Sequence, residues 1–181
     1  PKTRAMMRKY ILAGMPGAGK TVWGAQLAKM CNIPFFDLDH LIEKKHGSIS
    51  KIINKSENHF RSIEKDSLDL LLKNLSGEEY VLATGGGTLM DDESLNRVIT
   101  EGIVVFINSP LENLLRNLRR DSDDSRPLLS LKHEILLKEQ LLKMFYKRKA
   151  KYMESHIITR IESPEQLELF TKRLELFTKL K

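Results

Sequence analysis

The sequence has few of the features that mark secreted, membrane-spanning or nucleic-acid-binding proteins. Cys31 is the single cysteine among 181 residues, so no internal disulfide can form, and we expect a reducing, cytoplasmic setting. No apolar run approaches the roughly 18 residues of a membrane helix, and no signal-peptide core is visible near the start, so we expect no membrane partner. Aromatic residues make up only 7% of the chain and the basic residues are dispersed, so we expect no nucleic-acid partner.

The charge and length of the chain favour a single domain with an anionic ligand. Thirty Lys and Arg residues exceed 24 Asp and Glu residues by six, a balance that suits nucleotides, phosphates or carboxylates. A chain of 181 residues with 41% hydrophobic content can form one domain with a substantial core. We expect residues 1–6 to be a cloning remnant outside that domain, and we expect the chain to act as a monomer.

The most specific motif lies at residues 14–21. Its sequence, GMPGAGKT, matches the Walker A pattern and lies between a predicted buried strand at 9–13 and a predicted helix at 22–30. In such a phosphate loop, backbone N–H groups surround a phosphate, the lysine contacts the β- and γ-phosphates, and the threonine hydroxyl binds Mg²⁺. The residues that we expect to contact ATP here are Gly14, Met15, Pro16, Gly17, Ala18, Gly19, Lys20, Thr21 and Val22.

Two acidic residues follow the second predicted strand, at residues 33–36. Asp37 and Asp39 would point the same way in extended backbone, at the strand end where open α/β sheets bind ligands. One carboxylate would then hold Mg²⁺ through water, and the other would accept a hydrogen bond from a substrate hydroxyl. The alternative is structural, because Asp39 is also a good N-cap for the predicted helix at 40–46.

Two further segments suggest binding. Gly85, Gly86 and Gly87, the glycine triplet, directly follow a predicted buried strand at 80–84, so they would let a group approach the backbone closely; a flexible turn is the alternative. The polar segment at 121–129 lies between two predicted helices and is typical of a mobile flap. Within it, Arg126 is the candidate for phosphate contact, the alternative being a surface arginine in a solvated loop.

The predicted strands and helices alternate through five strands, which indicates an α/β fold with a parallel sheet between helical layers. Taken in order, the motifs resemble the shikimate kinases, which are P-loop small-molecule kinases with a nucleoside-monophosphate-kinase-like fold. The segments that carry the resemblance are residues 14–21, Asp37 and Asp39, Phe60 and Arg61, the glycine triplet, residues 126–129, and Arg148 followed by Tyr152.

The resemblance implies a three-layer fold whose five-stranded sheet has the order 2-3-1-4-5, with a substrate-binding region at about 37–75 and a lid at about 120–131. It implies that the γ-phosphate of ATP is transferred to the 3-hydroxyl of shikimate with Mg²⁺ present. Lys20 and Arg126 would contact the phosphates, and Asp39 would be the base or the group that orients the hydroxyl. Thr21 and Asp37 would hold the metal.

The resemblance also implies how the two substrates are held. Arg61 and Arg148 would bind the carboxylate of shikimate, and the glycine triplet would present backbone N–H groups to it. Arg116 or Arg119 would stack on the adenine, and the sequence does not choose between them.

The chain departs from the family pattern at several positions. Ala150 and Lys151 stand where Pro-Leu is usual, Ile53 where an aromatic is usual, and Ser56 where glycine is usual. The usual acidic residue after the last predicted strand is missing around residues 158–160.

Three alternatives remain at this stage. A gluconate kinase would share the phosphate loop and lid but would not require Arg61, the glycine triplet and Arg148 together. A nucleotide-dependent switch or RNA-binding P-loop protein would use the positive charge elsewhere on the surface. A non-catalytic relic is disfavoured because Lys20, Asp37, Asp39 and Arg126 are all present.

Overall fold

The structure, a computed structural model, describes residues 7–121 and 131–179. The described strands form a five-stranded parallel sheet of order β2-β3-β1-β4-β5, which confirms the predicted order. The strands are β1 (Lys9–Ala13), β2 (Phe35–Asp37), β3 (Tyr80–Ala83), β4 (Ile103–Ile107) and β5 (Ile157–Thr159). Ile11 pairs with Leu82 on one side and with Val104 on the other, so β1 is the central strand.

Helices connect the strands. They are α1 (Lys20–Cys31), α2 (Leu38–His46), α3 (Ile49–Lys55), α4 (Glu57–Asn74), α5 (Asp92–Glu101), α6 (Leu111–Asp121), α7 (Leu131–Tyr152) and α8 (Pro164–Lys179), with a short 3₁₀ helix at Thr88–Met90. No helix in the described parts of the chain is long and apolar enough to cross a membrane.

The central strands lie in the core, which explains their composition. The side chains of β3 and β4 are all buried, from 0 to 2% exposed, because helices cover both faces of the sheet. These strands are therefore continuous apolar runs rather than alternating ones. Since all five strands are parallel, their carboxyl ends lie at one edge of the sheet, and the loops that follow them meet there.

The start of α2 differs from the prediction. The helix begins at Leu38, and Asp37 rather than Asp39 is its N-cap, since the Asp37 side chain accepts a hydrogen bond from the backbone N–H of His40 at 3.1 Å. Asp39 lies in the first helical turn, where the extended-strand spacing no longer applies. The two carboxylates therefore reach the same sheet edge from a strand end and from a helix start.

Other boundaries move by a few residues. The strand before the glycine triplet ends at Ala83 rather than at residue 84, β2 covers Phe35–Asp37 rather than 33–36, and α1 covers Lys20–Cys31 rather than 22–30. Most of the predicted lid, including Arg126, lies outside the described residues, and so do residues 1–6.

Candidate active site

The phosphate loop connects β1 to α1 in a conformation that needs its glycines. Gly17 and Gly19 have φ angles of 79° and 81°, in the left-handed region where other residues are strained. A Cβ on Gly17 would lie 2.8 Å from the carbonyl oxygen of Leu114, so α6 packs directly against the loop. The Asn117 side chain, also on α6, donates to the Gly17 carbonyl at 2.8 Å. Helix α6 thus holds the loop through both of these contacts.

Lys20, the first residue of α1, folds back over the loop. Its Nζ donates to the carbonyl oxygens of Gly14 at 3.0 Å and Met15 at 3.1 Å. Burial lowers the pKa of Lys20 to about 8, and the carboxylates of Asp39 and Asp37 oppose that shift. The side chain therefore stays mainly protonated at neutral pH and places a positive charge at the phosphate loop.

Thr21 and Asp37 form a pair of oxygen groups beside Lys20. The Thr21 hydroxyl donates to Oδ2 of Asp37 at 2.6 Å. The described residues contain no cluster of three or more His, Cys, Asp or Glu side chains that would hold a metal alone. Two hard oxygen ligands suit Mg²⁺, which usually completes its coordination with water and substrate phosphates.

Asp39 lies between the phosphate loop and the glycine triplet. Burial raises the pKa of its carboxyl to about 6, although the nearby Lys20 lowers it. A Cβ on Gly85 would lie 2.8 Å from Oδ1 of Asp39 and 2.6 Å from Oε1 of Glu64. Asp39 therefore approaches the backbone of the triplet closely, and a larger residue at position 85 would displace Asp39 or the buried Glu64.

Arg61 on α4 contacts the other end of the triplet. A Cβ on Gly87 would lie 2.5 Å from Nη1 of Arg61. The same Nη1 donates to Oε2 of Glu64 at 2.7 Å, and the Thr88 hydroxyl donates to Oε1 of Glu64 at 2.6 Å. Glu64 is only 3% exposed, so a buried carboxylate orients the guanidinium.

Arg148 and Tyr152 on α7 bind the middle of the triplet. Nη1 of Arg148 donates to the carbonyl oxygen of Gly86 at 2.8 Å, and the Tyr152 hydroxyl donates to the same oxygen at 2.5 Å. A Cβ on Gly86 would lie 2.8 Å from the Pro16 ring. None of the three glycines has a positive φ, so close approach, rather than turn flexibility, accounts for the triplet.

A cleft of about 790 Å³ runs from the phosphate loop past Asp37 and Asp39, with one face of α6 along its side. That face contributes Asn113, Arg116, Asn117 and Arg120. Arg119 is not among the lining residues and instead forms an ion pair with Glu134 at 2.6 Å. The two arginines that the sequence could not distinguish thus lie on different faces of α6. Arg116 lines the cleft, as does Arg120, whereas Arg119 does not.

Sequence reasoning missed Glu64, Thr88 and Glu162. Glu64 lies at a four-residue spacing between Phe60 and Leu68 on the buried face of α4, and an acidic residue on such an apolar stripe could have drawn attention to it. Glu162 lines the cleft beyond β5 and accepts a hydrogen bond from Asn113. The sequence lacks the family's usual acidic residue around residues 158–160, and Glu162 places an acidic group at the cleft shortly after β5.

Known proteins match the chain over nearly its whole length. The Shikimate kinase family matches residues 16–178. The shikimate kinase of Persephonella marina is 33% identical over 165 residues, which is 89% of this chain and 94% of that protein.

Solved structures agree with this match. A shikimate kinase from Acinetobacter baumannii in complex with shikimate superposes with a TM-score of 0.80 at 32% identity, covering 99% of this chain and 98% of that one. A shikimate kinase from Bacteroides thetaiotaomicron gives a TM-score of 0.81 at 29% identity, with 95% and 98% of the two chains covered.

The gluconate kinase alternative finds weaker support. A gluconokinase from Sinorhizobium meliloti 1021 superposes with a TM-score of 0.62 at 15% identity, a similarity that shows a shared fold and nothing more. The match over residues 16–178 and the more similar relatives show more than a fold: this chain belongs to the shikimate kinase family.

Proposed function

We propose that this chain phosphorylates the 3-hydroxyl of shikimate with ATP, producing shikimate 3-phosphate and ADP. The observation that carries the proposal is the meeting of Arg61 and Arg148 at the glycine triplet, beside Asp39 and the phosphate cleft. Two guanidinium groups on either side of a closely packed backbone suit a small planar carboxylate. Shikimate is a small carboxylate that carries three hydroxyl groups.

Both arginines retain hydrogen-bonding capacity for a substrate. Arg61 donates to Glu64 at 2.7 Å and to Glu57 at 3.4 Å, and Arg148 donates to the Gly86 carbonyl at 2.8 Å. A guanidinium has five N–H donors, more than these contacts use. We propose that the remaining donors bind the substrate carboxylate, with the N–H groups of the glycine triplet beside them.

Transfer of the phosphoryl group needs positioning and charge neutralisation. In the proposed step, the 3-hydroxyl oxygen bonds to the γ-phosphorus while the bond from that phosphorus to the bridging oxygen of ADP breaks. Asp39 accepts the hydrogen bond from the hydroxyl and is placed to take its proton, and Lys20 stabilises the charge on the phosphates. Arg126 stays a predicted second cation for this charge.

The nucleotide would occupy the cleft along α6. We propose that Gly14 to Val22 contact its phosphates and that Arg116, which lines the cleft, stacks on the adenine in preference to Arg119. Thr21 and Asp37 would hold Mg²⁺, which neutralises charge on the β- and γ-phosphates when bound. We propose that the chain acts as a monomer, because the described residues supply both the phosphate loop and the proposed substrate contacts.

The test is ADP release from Mg-ATP, measured separately with shikimate, gluconate, RNA or no acceptor. Among the acceptors, we expect only shikimate to give turnover. We expect Lys20→Met to abolish this ADP release, which would assign the activity to the phosphate loop of this chain. Turnover with gluconate would overturn the substrate assignment. Slow ATP hydrolysis at the same rate with every acceptor and with none would instead support a nucleotide-dependent switch.

A further inference from the structure

Tyr152 is a buried residue of the site to which the proposed reaction assigns no role. It is the last residue of α7, is 1% exposed, and stacks on Phe106 of β4 with ring centroids 4.7 Å apart and planes inclined by 13°. A phenylalanine ring would fill the same space and make the same stack. Packing therefore accounts for the ring but not for the hydroxyl.

The hydroxyl belongs to a small hydrogen-bonded group. It donates to the Gly86 carbonyl oxygen at 2.5 Å, and Arg148, one helical turn earlier, donates to the same oxygen at 2.8 Å. The hydroxyl also lies 3.9 Å from Sδ of Met15 in the phosphate loop. A carbonyl oxygen has two lone pairs, so these two donors complete its acceptor capacity.

These bonds fix the direction of a whole peptide unit. The peptide between Gly86 and Gly87 is trans, since the described chain contains no cis bond, so the Gly87 N–H points opposite to the Gly86 carbonyl. Because α7 holds the carbonyl toward Tyr152, the Gly87 N–H is directed away from Tyr152. Gly87 itself packs against the guanidinium of Arg61.

We propose that Tyr152 is a positioning residue for substrate binding. Its hydroxyl holds the peptide between Gly86 and Gly87, together with the Arg148 guanidinium, in the arrangement that receives the substrate carboxylate. The inference rests on the proposed function, since it concerns how the shikimate site is kept in shape. Glycine loses more backbone freedom on folding than any other residue. Hydrogen bonds from α7 to the triplet therefore help to keep its backbone in one conformation.

The test compares Tyr152→Phe with Tyr80→Phe. Tyr80 is a matched control because its ring is 0% exposed and its hydroxyl has no hydrogen-bond partner among the described residues. It lies at the start of β3, at the opposite end of that strand from the cleft. Each substitution removes one buried hydroxyl and keeps the ring.

We expect Tyr152→Phe to raise the KM for shikimate, and its Kd by calorimetry without ATP, about three- to tenfold, the effect of one net hydrogen bond. The kcat and the KM for ATP should stay close to wild type, and Tyr80→Phe should leave all four quantities unchanged. Kinetics are measured well below each variant's Tm.

Glycine-selective ¹⁵N labelling gives a second readout that does not depend on turnover. The chain has 10 glycines, so the amide spectrum is simple. The Gly87 amide signal should shift in Tyr152→Phe and stay in place in Tyr80→Phe, because Gly87 N–H belongs to the peptide whose carbonyl loses a donor.

The outcomes separate this proposal from the proposed function. The positioning role would be overturned if Tyr152→Phe had a wild-type KM for shikimate. It would also be overturned if kcat, both KM values and Tm all worsened together. Either result would leave the proposed reaction in place. An unshifted Gly87 signal would likewise overturn the positioning role and leave the reaction in place. A wild-type protein that does not phosphorylate shikimate would overturn both proposals.

Discussion

Glu64→Gln tests whether a buried carboxylate holds Arg61 in its binding position. The substitution keeps the size of the side chain and one oxygen acceptor for the Thr88 hydroxyl, which lies 2.6 Å from Oε1. It removes the negative charge and turns an amide donor toward Arg61 or Thr88. The charge-assisted hydrogen bond of 2.7 Å that Arg61 donates to Glu64 is therefore lost, or is kept only as a weaker bond to a neutral amide oxygen.

The magnitude follows from burial and charge. A hydrogen bond to a charged group contributes about 1.5–3 kcal/mol. The Arg61 side chain is 34% exposed while that of Glu64 is 4% exposed, so water recovers part of the loss on the arginine side only. We therefore expect the free energy of unfolding to fall by about 2 kcal/mol, which lowers Tm by about 4–8 °C in a chain of this length. The KM for shikimate should rise about tenfold, which corresponds to about 1.4 kcal/mol.

Glu57→Gln is the matched control for this experiment. Glu57 also pairs with Arg61, but at 3.4 Å and with a side chain that is 68% exposed. Exposed ion pairs contribute little, so Tm should stay within about 2 °C of wild type and the KM for shikimate should not change. Thermal unfolding and steady-state kinetics measure both variants. Equal effects of the two substitutions, or a wild-type Tm and KM in Glu64→Gln, would refute the reasoning.

Four further predictions follow from the geometry of the site. Because burial raises the pKa of Asp39 to about 6, kcat/KM should rise with pH through about 6, and a pH profile without that limb would contradict its role. The folded state binds this proton more tightly than the unfolded chain does, so the contribution of protonated Asp39 to stability is lost as pH rises through about 6. At pH 8, Asp39→Asn should therefore have a free energy of unfolding about 1–3 kcal/mol higher than wild type, measured by denaturant unfolding. The same variant should lose turnover. Gly87→Ala should raise the KM for shikimate about tenfold or more, because its Cβ would lie 2.5 Å from the Arg61 guanidinium; a wild-type KM would show that Arg61 can move without loss of binding. Arg116→Ala should raise the KM for ATP while Arg119→Ala should not, since only the first lines the cleft, and the reverse order would exchange the two assignments.

Much of the fold could be predicted from the sequence because its signals are local. The phosphate loop is eight contiguous residues between a strand and a helix, so its position and shape follow from one stretch of chain. The alternation of predicted strands and helices through five strands indicated a parallel sheet between helical layers, which the structure shows. The strand order, in contrast, came from the resemblance to a family and was confirmed by the sheet.

The candidate site was predicted less completely. The sequence named Arg61, Arg148 and the glycine triplet, and the structure brings them together, but their roles in binding stay predictions. It offered Asp39 as an alternative N-cap for the helix at 40–46, whereas Asp37 occupies that position. Capping depends on where the strand stops and the helix turns, which neighbouring residues of similar chemistry do not reveal.

The sequence by itself determined which groups are available: a phosphate loop, two aspartates, three consecutive glycines and several arginines. Only the tertiary structure decided which of them face one another. Arg116 faces the cleft while Arg119 turns to Glu134, and Glu64 is buried against Arg61. The physical reason is that periodicity sets the spacing of side chains along a helix, whereas the packing of segments far apart in the chain sets which face is buried and what it meets.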